Sequence, residues 1–311
     1  MPQLSRERLI MAKIEGTYNT DSVPAAANAI IVSNLEIVPI EQEVASRELV
    51  KPFLGDVEQA IGKNSVSISF DCELVGSGTA GTAPGFGALL RACGLSETVV
   101  ASTSVTYAPV SSGWESVSIY TNVGGILHKV TGARGTFNFE MSAGQFPKIK
   151  FKFVGNMGTV TDTAFATPTY TNFATPLPMN NTNTTAFALH GYSGVMSSLS
   201  FDMGQDLVHR SLAGGSEYAQ ITSRDVTGSI TMEMPTIAAK DWFTAAKSAT
   251  AGALTVLHGT IAGNKCTISG PKVQVTKPVY QDENGIQMLQ LALNFRPNAA
   301  GGNDEISLAF T

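Results

Sequence analysis

One short β-rich pattern occurs twice in this chain of 311 residues. The run Ser67–Leu74 alternates polar and apolar residues, and Thr227–Met234 repeats that alternation with a glutamate again in the next-to-last place. Such alternation is typical of a β-strand with one buried and one solvated face. A shorter alternating stretch precedes each copy, Leu35–Ile40 in the first and Leu199–Met203 in the second. A repeated β-rich unit without a recognisable catalytic cluster is more typical of a building block than of an enzyme.

Length and composition point to two domains with the same kind of fold. The chain is long enough for about two domains with separate cores. Only 14% of its residues are charged, against about 25% in average proteins, and it contains 30 glycines. We therefore predict a mainly β fold with minor α, built from two tandem β-sandwich units that each carry a flanking helix.

The expected organisation has four parts. They are an N-terminal arm at 1–30, a first unit at 31–155, a Thr/Pro/Asn-rich linker at 156–185 and a second unit at 186–311. A short helix is possible in the arm at Arg6–Lys13, and the arm is a candidate for docking on a neighbouring chain. The flanking helices are predicted at Phe86–Cys93 and Lys240–Ser248.

Charge and cysteine usage exclude several classes of protein. The formal net charge of -5 argues against a chain that grips nucleic acid phosphates. Cys72, Cys93 and Cys266 form no CxxC pair, so each is expected to be a core residue in a reduced compartment. No stretch resembles a secretion signal or a membrane span, and we expect the chain to fold in a cytoplasm.

The polar faces of three predicted strands share one composition. They carry serine, threonine, aspartate and glutamate, without lysine, arginine or an aromatic residue. An ordinary solvated sheet face is the simpler interpretation for any single strand, but solvated faces usually carry lysine. Its absence from three strands favours a surface that presents hydroxyls and carboxylates to something. The residues are Ser67, Ser69, Asp71, Glu73, Ser200, Asp202, Ser229, Thr231 and Glu233.

No motif supports catalysis or a cofactor. Residues 76–81 match GxGxxG, but the preceding strand alternates and Pro84 separates the motif from the helix, so we interpret it as a flexible glycine-rich connection. The four histidines lack metal-ligand spacing, and no nucleophile signature occurs. We therefore expect no enzyme activity, cofactor or metal.

Several short sequence motifs resemble those of the tail tube proteins of long-tailed bacteriophages. The resemblance runs from Leu35 to Gly155 and includes part of the arm. The motifs are Ile14-Glu15-Gly16-Thr17-Tyr18, Gly81-Thr82-Ala83-Pro84, Leu89-Leu90-Arg91-Ala92-Cys93-Gly94, Ser104-Val105-Thr106-Tyr107 and His128-Lys129-Val130-Thr131-Gly132-Ala133-Arg134-Gly135. The second half resembles the family more in the arrangement of its predicted elements than in individual sequence motifs.

The resemblance implies two tail-tube-type, barrel-forming units that self-assemble into stacked rings. Inner sheets would join in one β-barrel through which the genome passes into the host without specific binding. The nine polar residues would face the lumen, where acidic groups repel phosphate. Other implied partners are the tape measure, tail terminator and distal tail proteins, in a virion tail assembled in the host bacterial cytoplasm.

Because the chain carries two units, we expect three chains to form a pseudo-sixfold ring, with a hexamer as the alternative. Two long polar loops, Gln42–Lys63 and Gln205–Arg224, correspond in position to the ring-stacking loops of the family. Their candidate stacking residues are Glu43, Arg47, Glu48, Asp56, Glu58, Asp206, Arg210, Glu217 and Arg224.

Two other functions fit the sequence. A carbohydrate-binding or adhesive β-sandwich protein would stack sugars on Tyr107, Tyr120 and Tyr170 and would act as a monomer. The second alternative is the tube of a contractile injection system, for which the same physical argument about polar sheet faces would hold.

Overall fold

Over the residues that the structure describes, the fold is mainly β, as predicted, with two short α-helices and one 3-10 turn at Ala26–Asn28. A computed structural model describes residues 4, 6–45, 47, 49–55 and 58–311. The helices are α1 (Gly87–Ala92) and α2 (Trp242–Lys247). The strands of the first half are β1 (Arg8–Ile14), β2 (Ser33–Ala45), β3 (Ala60–Glu73), β4 (Leu95–Val100), β5 (Ser104–Pro109), β6 (Val117–Val123), β7 (Ile126–Ser142) and β8 (Lys148–Asp162). Those of the second half are β9 (Thr184–Leu189), β10 (Met196–Asp202), β11 (Gln205–Leu212), β12 (Ser216–Arg224), β13 (Thr227–Glu233), β14 (Ala251–His258), β15 (Cys266–Glu283), β16 (Ile286–Phe295) and β17 (Ser307–Phe310).

Eight antiparallel strands of one larger sheet form the centre of the molecule, here called the central sheet, in the order β2-β3-β8-β7-β10-β13-β16-β15. The first half supplies β2-β3-β8-β7 and the second half supplies β10-β13-β16-β15. In the first half β2 pairs with β3, and the hairpin β7–β8 lies beside them. In the second half β10 pairs with β13, and the hairpin β15–β16 lies beside them. Both halves therefore contribute four strands in the same topological order.

Aromatic side chains on the apolar face tie the two halves together. Phe70 packs on Phe151 at a ring distance of 5.7 Å, and Phe151 on Phe137 at 5.9 Å. Phe137 in turn contacts Phe201 of the second half at 6.3 Å. Most buried apolar residues of both halves belong to one continuous cluster. Burial of this surface is the main favourable contribution to folding, so packing couples the halves.

A second layer covers that apolar face. In the first half β1 pairs with β6, and β6 pairs with β7. In the second half β9 pairs with β14, and β14 pairs with β15. The β4–β5 hairpin is joined to the start of β15 through β17. The second layer therefore also repeats its pairing scheme, apart from the β4–β5 hairpin.

The arm differs from the prediction. Residues 8–14 form a strand, and the helix expected at Arg6–Lys13 is wrong. The strand pairs with β6 along its whole length, and Leu9 and Met11 pack in a small cluster around Tyr120. Tertiary pairing overrides the weak local helix preference of this stretch. This part of the arm thus docks on its own chain.

The two polar loops are also more ordered than expected. Residues 205–212 and 216–224 form the β11–β12 hairpin, and residues 41–45 and 60–63 extend the β2–β3 hairpin. The expected linker begins inside β8, and residues 163–183 hold no helix or strand. Its backbone nevertheless bonds to the first half, where Ala174 N–H donates to the Gly76 carbonyl at 2.9 Å. The division into two units at this segment stays a prediction.

The glycines at 76–81 pack closely and do not form the flexible connection that we expected. Gly76 N–H donates to Asn264 Oδ1 at 2.8 Å, and Gly78 N–H donates to the Gly263 carbonyl at 2.9 Å. A Cβ on Gly76 would lie 1.9 Å from the Gly263 carbonyl oxygen. Glycine is required here because two backbones from opposite halves touch.

Candidate functional site

The central sheet turns a continuous polar face away from the core. Strand alternation places Ser67, Ser69, Asp71 and Glu73 on this face of β3. Cross-strand pairing then extends the row through Asp71 across the whole sheet. That row reads Ser33, Asp71, Lys150, Asn138, Asp202, Thr227, Asn294 and Gln274. The structure thus brings the nine predicted polar residues onto one surface, where Thr231 is buried and Glu233 is exposed.

The charge on this face is mixed, whereas the sequence indicated an acidic one. Lys148, Lys150 and Lys152 of β8 lie directly opposite Glu73, Asp71 and Ser69. These lysines were missed because the polar faces of only three strands were compared, and β8 was not among them. The carboxylates that share the face with the three lysines include Glu36, Asp71, Glu73, Glu140, Asp202 and Glu233.

Short polar contacts hold these side chains in place. Lys150 Nζ lies 2.6 Å from Glu140 Oε2, and the hydroxyls of Ser200 and Ser229 are 3.0 Å apart. The amide of Asn138, turned so that its nitrogen faces the carboxylate, lies 3.1 Å from Asp202. The Lys150–Glu140 contact lies in the first half and the Ser200–Ser229 contact in the second half. The Asn138–Asp202 contact crosses the junction between β7 and β10.

The two outer edges of the central sheet are open along the described residues. One edge is β2, and the other is the second half of β15, from about Val275 to Glu283. Apolar side chains on these edges face solvent, including Val38 and Ile40 on β2 and Val279 and Tyr280 on β15. Exposed edge strands pair readily with other chains, so both edges are candidate assembly surfaces.

Arg134 holds the β11–β12 hairpin of the second half on the first half. Its guanidinium donates to the Ala219 carbonyl at 3.0 Å and to Gln220 Oε1 at 2.7 Å. The same group lies over the Tyr18 ring at 4.8 Å, and Tyr18 Oη accepts from Ala219 N–H at 2.8 Å. Burial lowers the pKa of Arg134. Tyr18 and Arg134 belong to the sequence motifs that carry the family resemblance. Those motifs gave the only sequence signal for this contact.

Glu15 fixes the end of the arm in the same region. Its buried carboxylate accepts hydrogen bonds from the hydroxyls of Ser116 at 2.6 Å and Ser118 at 2.8 Å. It also accepts the backbone N–H groups of Asn19 and Gly132, both at 2.8 Å. A buried carboxylate needs such a full set of donors, so the role of Glu15 is structural.

The predicted stacking residues fall into three groups. Glu43, Arg47, Glu58, Asp206, Arg210 and Glu217 are exposed. Arg224 is half-buried, pairs with Glu305 at 2.9 Å and bonds to the Val110 carbonyl, so it anchors the hairpin base. Glu48 and Asp56 lie outside the described residues. In the same loop, Val50 and Leu54 are fully exposed apolar side chains.

Other candidate chemistry finds little support. Tyr107 and Tyr120 are buried, which leaves Tyr170 alone of the three proposed sugar-stacking residues at the surface. Cys72, Cys93 and Cys266 are buried, as predicted, and free. Burial lowers the pKa of each of the four histidines. Among the described residues no cluster of His, Cys, Asp and Glu could hold a metal ion.

Comparison with known proteins agrees with this architecture. The sequence profile of the phage tail tube protein family matches residues 5–310, which is nearly the whole chain. A comparison with curated protein sequences found no match. Within the described part of the chain, no helix has the length and apolar character needed to cross a membrane. The match spans both halves, and the chain belongs to the phage tail tube protein family.

Proposed function

We propose that three copies of this chain close into one ring, and that stacked rings form the tube of a phage tail. The central sheet of each chain would join those of its neighbours in a barrel, with the polar face toward the channel. The observation that carries the proposal is the open-edged, eight-stranded sheet with one apolar and one polar face. Family membership supports the same role.

The number of strands that each chain contributes supports a trimer. Each half contributes four strands in the same order, which supports an internal duplication and makes one chain equivalent to two units. Three chains then give 24 strands, and at about 4.8 Å per strand the circumference is about 115 Å. The diameter is about 37 Å before strand tilt widens it, which leaves room for a DNA duplex inside the side chains.

The proposed channel lets DNA slide because its charge is mixed and Lys150 is engaged. The carboxylates outnumber Lys148, Lys150 and Lys152 on this face, and Lys150 is paired with Glu140. Strong phosphate binding requires clustered free cations. The role is therefore structural, in the virion tail, after assembly in the cytoplasm of the host. A tape measure protein inside the tube and terminator and distal tail proteins at its ends complete the proposed set of partners.

Light scattering on the purified chain at rising concentration tests the proposal. We expect assemblies whose mass is a multiple of three chains, followed by rings or tubes in electron micrographs. Electron micrographs that showed six two-unit chains in each ring would reject the trimer and leave the tube intact. A chain that stays monomeric at every concentration would favour the adhesive alternative.

A further inference from the structure

The junction between the two halves supplies a template for contacts between chains. Within the chain, β10 joins β7 through five antiparallel pairs, from Ser198–Ser142 to Asp202–Asn138. The two open edge strands have equivalents at this junction, because β2 occupies the position of β10 and β15 occupies the position of β7 in the repeated strand order. In the sheet order β2 and β15 run in opposite directions, so their meeting would also be antiparallel.

The sequence repeat fixes how β2 corresponds to β10. Ser69 and Ser229 occupy the same place in the repeat. Glu36 pairs with Ser69, and Ser200 pairs with Ser229, so Glu36 stands where Ser200 stands. Counting along both strands, Ile37 corresponds to Phe201 and Val38 to Asp202.

The same reasoning relates β15 to β7. Asp71 and Thr231 are equivalent in the repeat, and they pair with Lys150 and Gln290. Lys150 pairs in turn with Asn138, and Gln290 pairs with Val279. Val279 therefore corresponds to Asn138. Along the same strands, Tyr280 corresponds to Phe139 and Gln281 to Glu140.

We propose that β15 of one chain pairs with β2 of the next chain in the register of the internal junction. Val279 then lies opposite the neighbour's Val38, and Tyr280 lies opposite the neighbour's Ile37. This inference rests on the proposed ring and adds the residue pairs that close it.

Solvent exposure of the paired side chains supports this register. Val38 is 45% exposed, Val279 50% and Tyr280 57%. Val38 and Val279 both lie on the polar face, while Ile37 and Tyr280 lie on the apolar face. Val38, Val279 and Tyr280 thus each meet an apolar partner on their own face, as Phe139 meets Phe201 inside the chain. Pairing removes this apolar surface from water.

Two prolines support the same register independently. Pro39 follows Val38, and Pro278 precedes Val279. In the proposed register the two prolines face each other, just beyond the last pair of the ladder. The internal ladder also ends at the equivalent pair, Asp202–Asn138. Because proline lacks an N–H group and is confined to edges and bulges, a register that places both prolines at one position leaves the rest of the ladder intact.

Paired cysteines test the register. Residues directly opposite in an antiparallel pair have Cα atoms about 4.5–5.5 Å apart, within the range for a disulfide. Diagonal neighbours lie about 7–8 Å apart, beyond that range. We would compare V38C/V279C with the diagonal control V38C/Q281C in assembled full-length protein, oxidised with copper phenanthroline and resolved on non-reducing gels. Burial shields Cys72, Cys93 and Cys266 and raises the pKa of each, to about 12 for Cys266.

We expect V38C/V279C to give covalent dimers and trimers, at roughly ten times the yield of V38C/Q281C. Single-cysteine variants should give neither product. Rings or tubes that form normally while the diagonal pair cross-links and V38C/V279C does not would overturn the register and leave the proposed function standing. Wild-type protein that forms no ring at any concentration would overturn both.

Discussion

Phe139 and Phe201 stack 5.0 Å apart across the strand pair that joins the two halves. Both rings are buried, and Phe201 also contacts Phe295 at 6.0 Å. The two halves therefore share one core at this junction, although each repeats the same strand order.

Replacing Phe201 with alanine should destabilise the whole chain. Loss of a buried phenylalanine costs about 3–5 kcal/mol, because the cavity only partly collapses. We expect a single cooperative urea transition at lower denaturant concentration, with Ser200→Ala on the polar face as the control. Two separate transitions, one of them unchanged, would show that the halves do not share a core.

Stability should fall as the solution becomes acidic, in part through His258. The buried ring is hydrogen-bonded to the Thr184 hydroxyl at 3.0 Å and to the Leu177 carbonyl at 3.1 Å. Burial lowers the pKa of His258 in the folded state, so the unfolded chain binds more protons below its ordinary pKa of about 6.5. The stabilising effect of the neutral ring is present above that pH and is lost as the pH falls toward the folded-state pKa. The drop in Tm between about pH 7.5 and about pH 5.5 should be smaller in His258→Gln, and equal drops would argue against this contribution.

Charge reversal on the polar face should slow genome ejection. Glu73 lies opposite Lys148, and Glu233 is exposed on the same face, so lysine at both positions adds free cations to the proposed channel. Tubes should still form, and ejection should recover at high salt because phosphate attraction is screened. Glu7→Lys, on the exposed part of the arm, serves as the control. Equal ejection rates at every ionic strength would remove the electrostatic role.

Deleting residues 46–58 should leave soluble protein that does not polymerise. The described part of this segment includes Val50 and Leu54, fully exposed, and Phe53, 61% exposed. Apolar side chains in this position are typical of a contact surface, here between rings. A milder variant, Val50→Ser with Leu54→Ser, keeps the loop length and should shorten the tubes. Tubes of unchanged length in electron micrographs of either variant would contradict the stacking role.

Alternation along the strands made the two faces of the central strands predictable, but not their union in one sheet. Residues such as Phe70 and Ser69 could be assigned to opposite faces before any pairing was known, because side chains alternate with period two. The β11–β12 hairpin could not be predicted in this way. It depends on contacts such as that of Arg134 with Ala219, which join distant parts of the chain.

Local pattern was also insufficient for the arm and for the charge of the polar face. Residues 8–14 become a strand because β6 offers a free edge, which no local signal reveals. Lys150 joins the face through pairing with Asp71, far away in sequence. Which strands are neighbours decides both outcomes, and strand order is set by the whole fold.

Electron cryomicroscopy of the assembled tube at side-chain resolution is the decisive test of the proposed ring. We expect a closed barrel of about 24 strands from three chains per ring, with Glu73 and Ser229 facing the channel. A tube in which these side chains point outward, or in which the central sheets do not join edge to edge, would contradict the proposal.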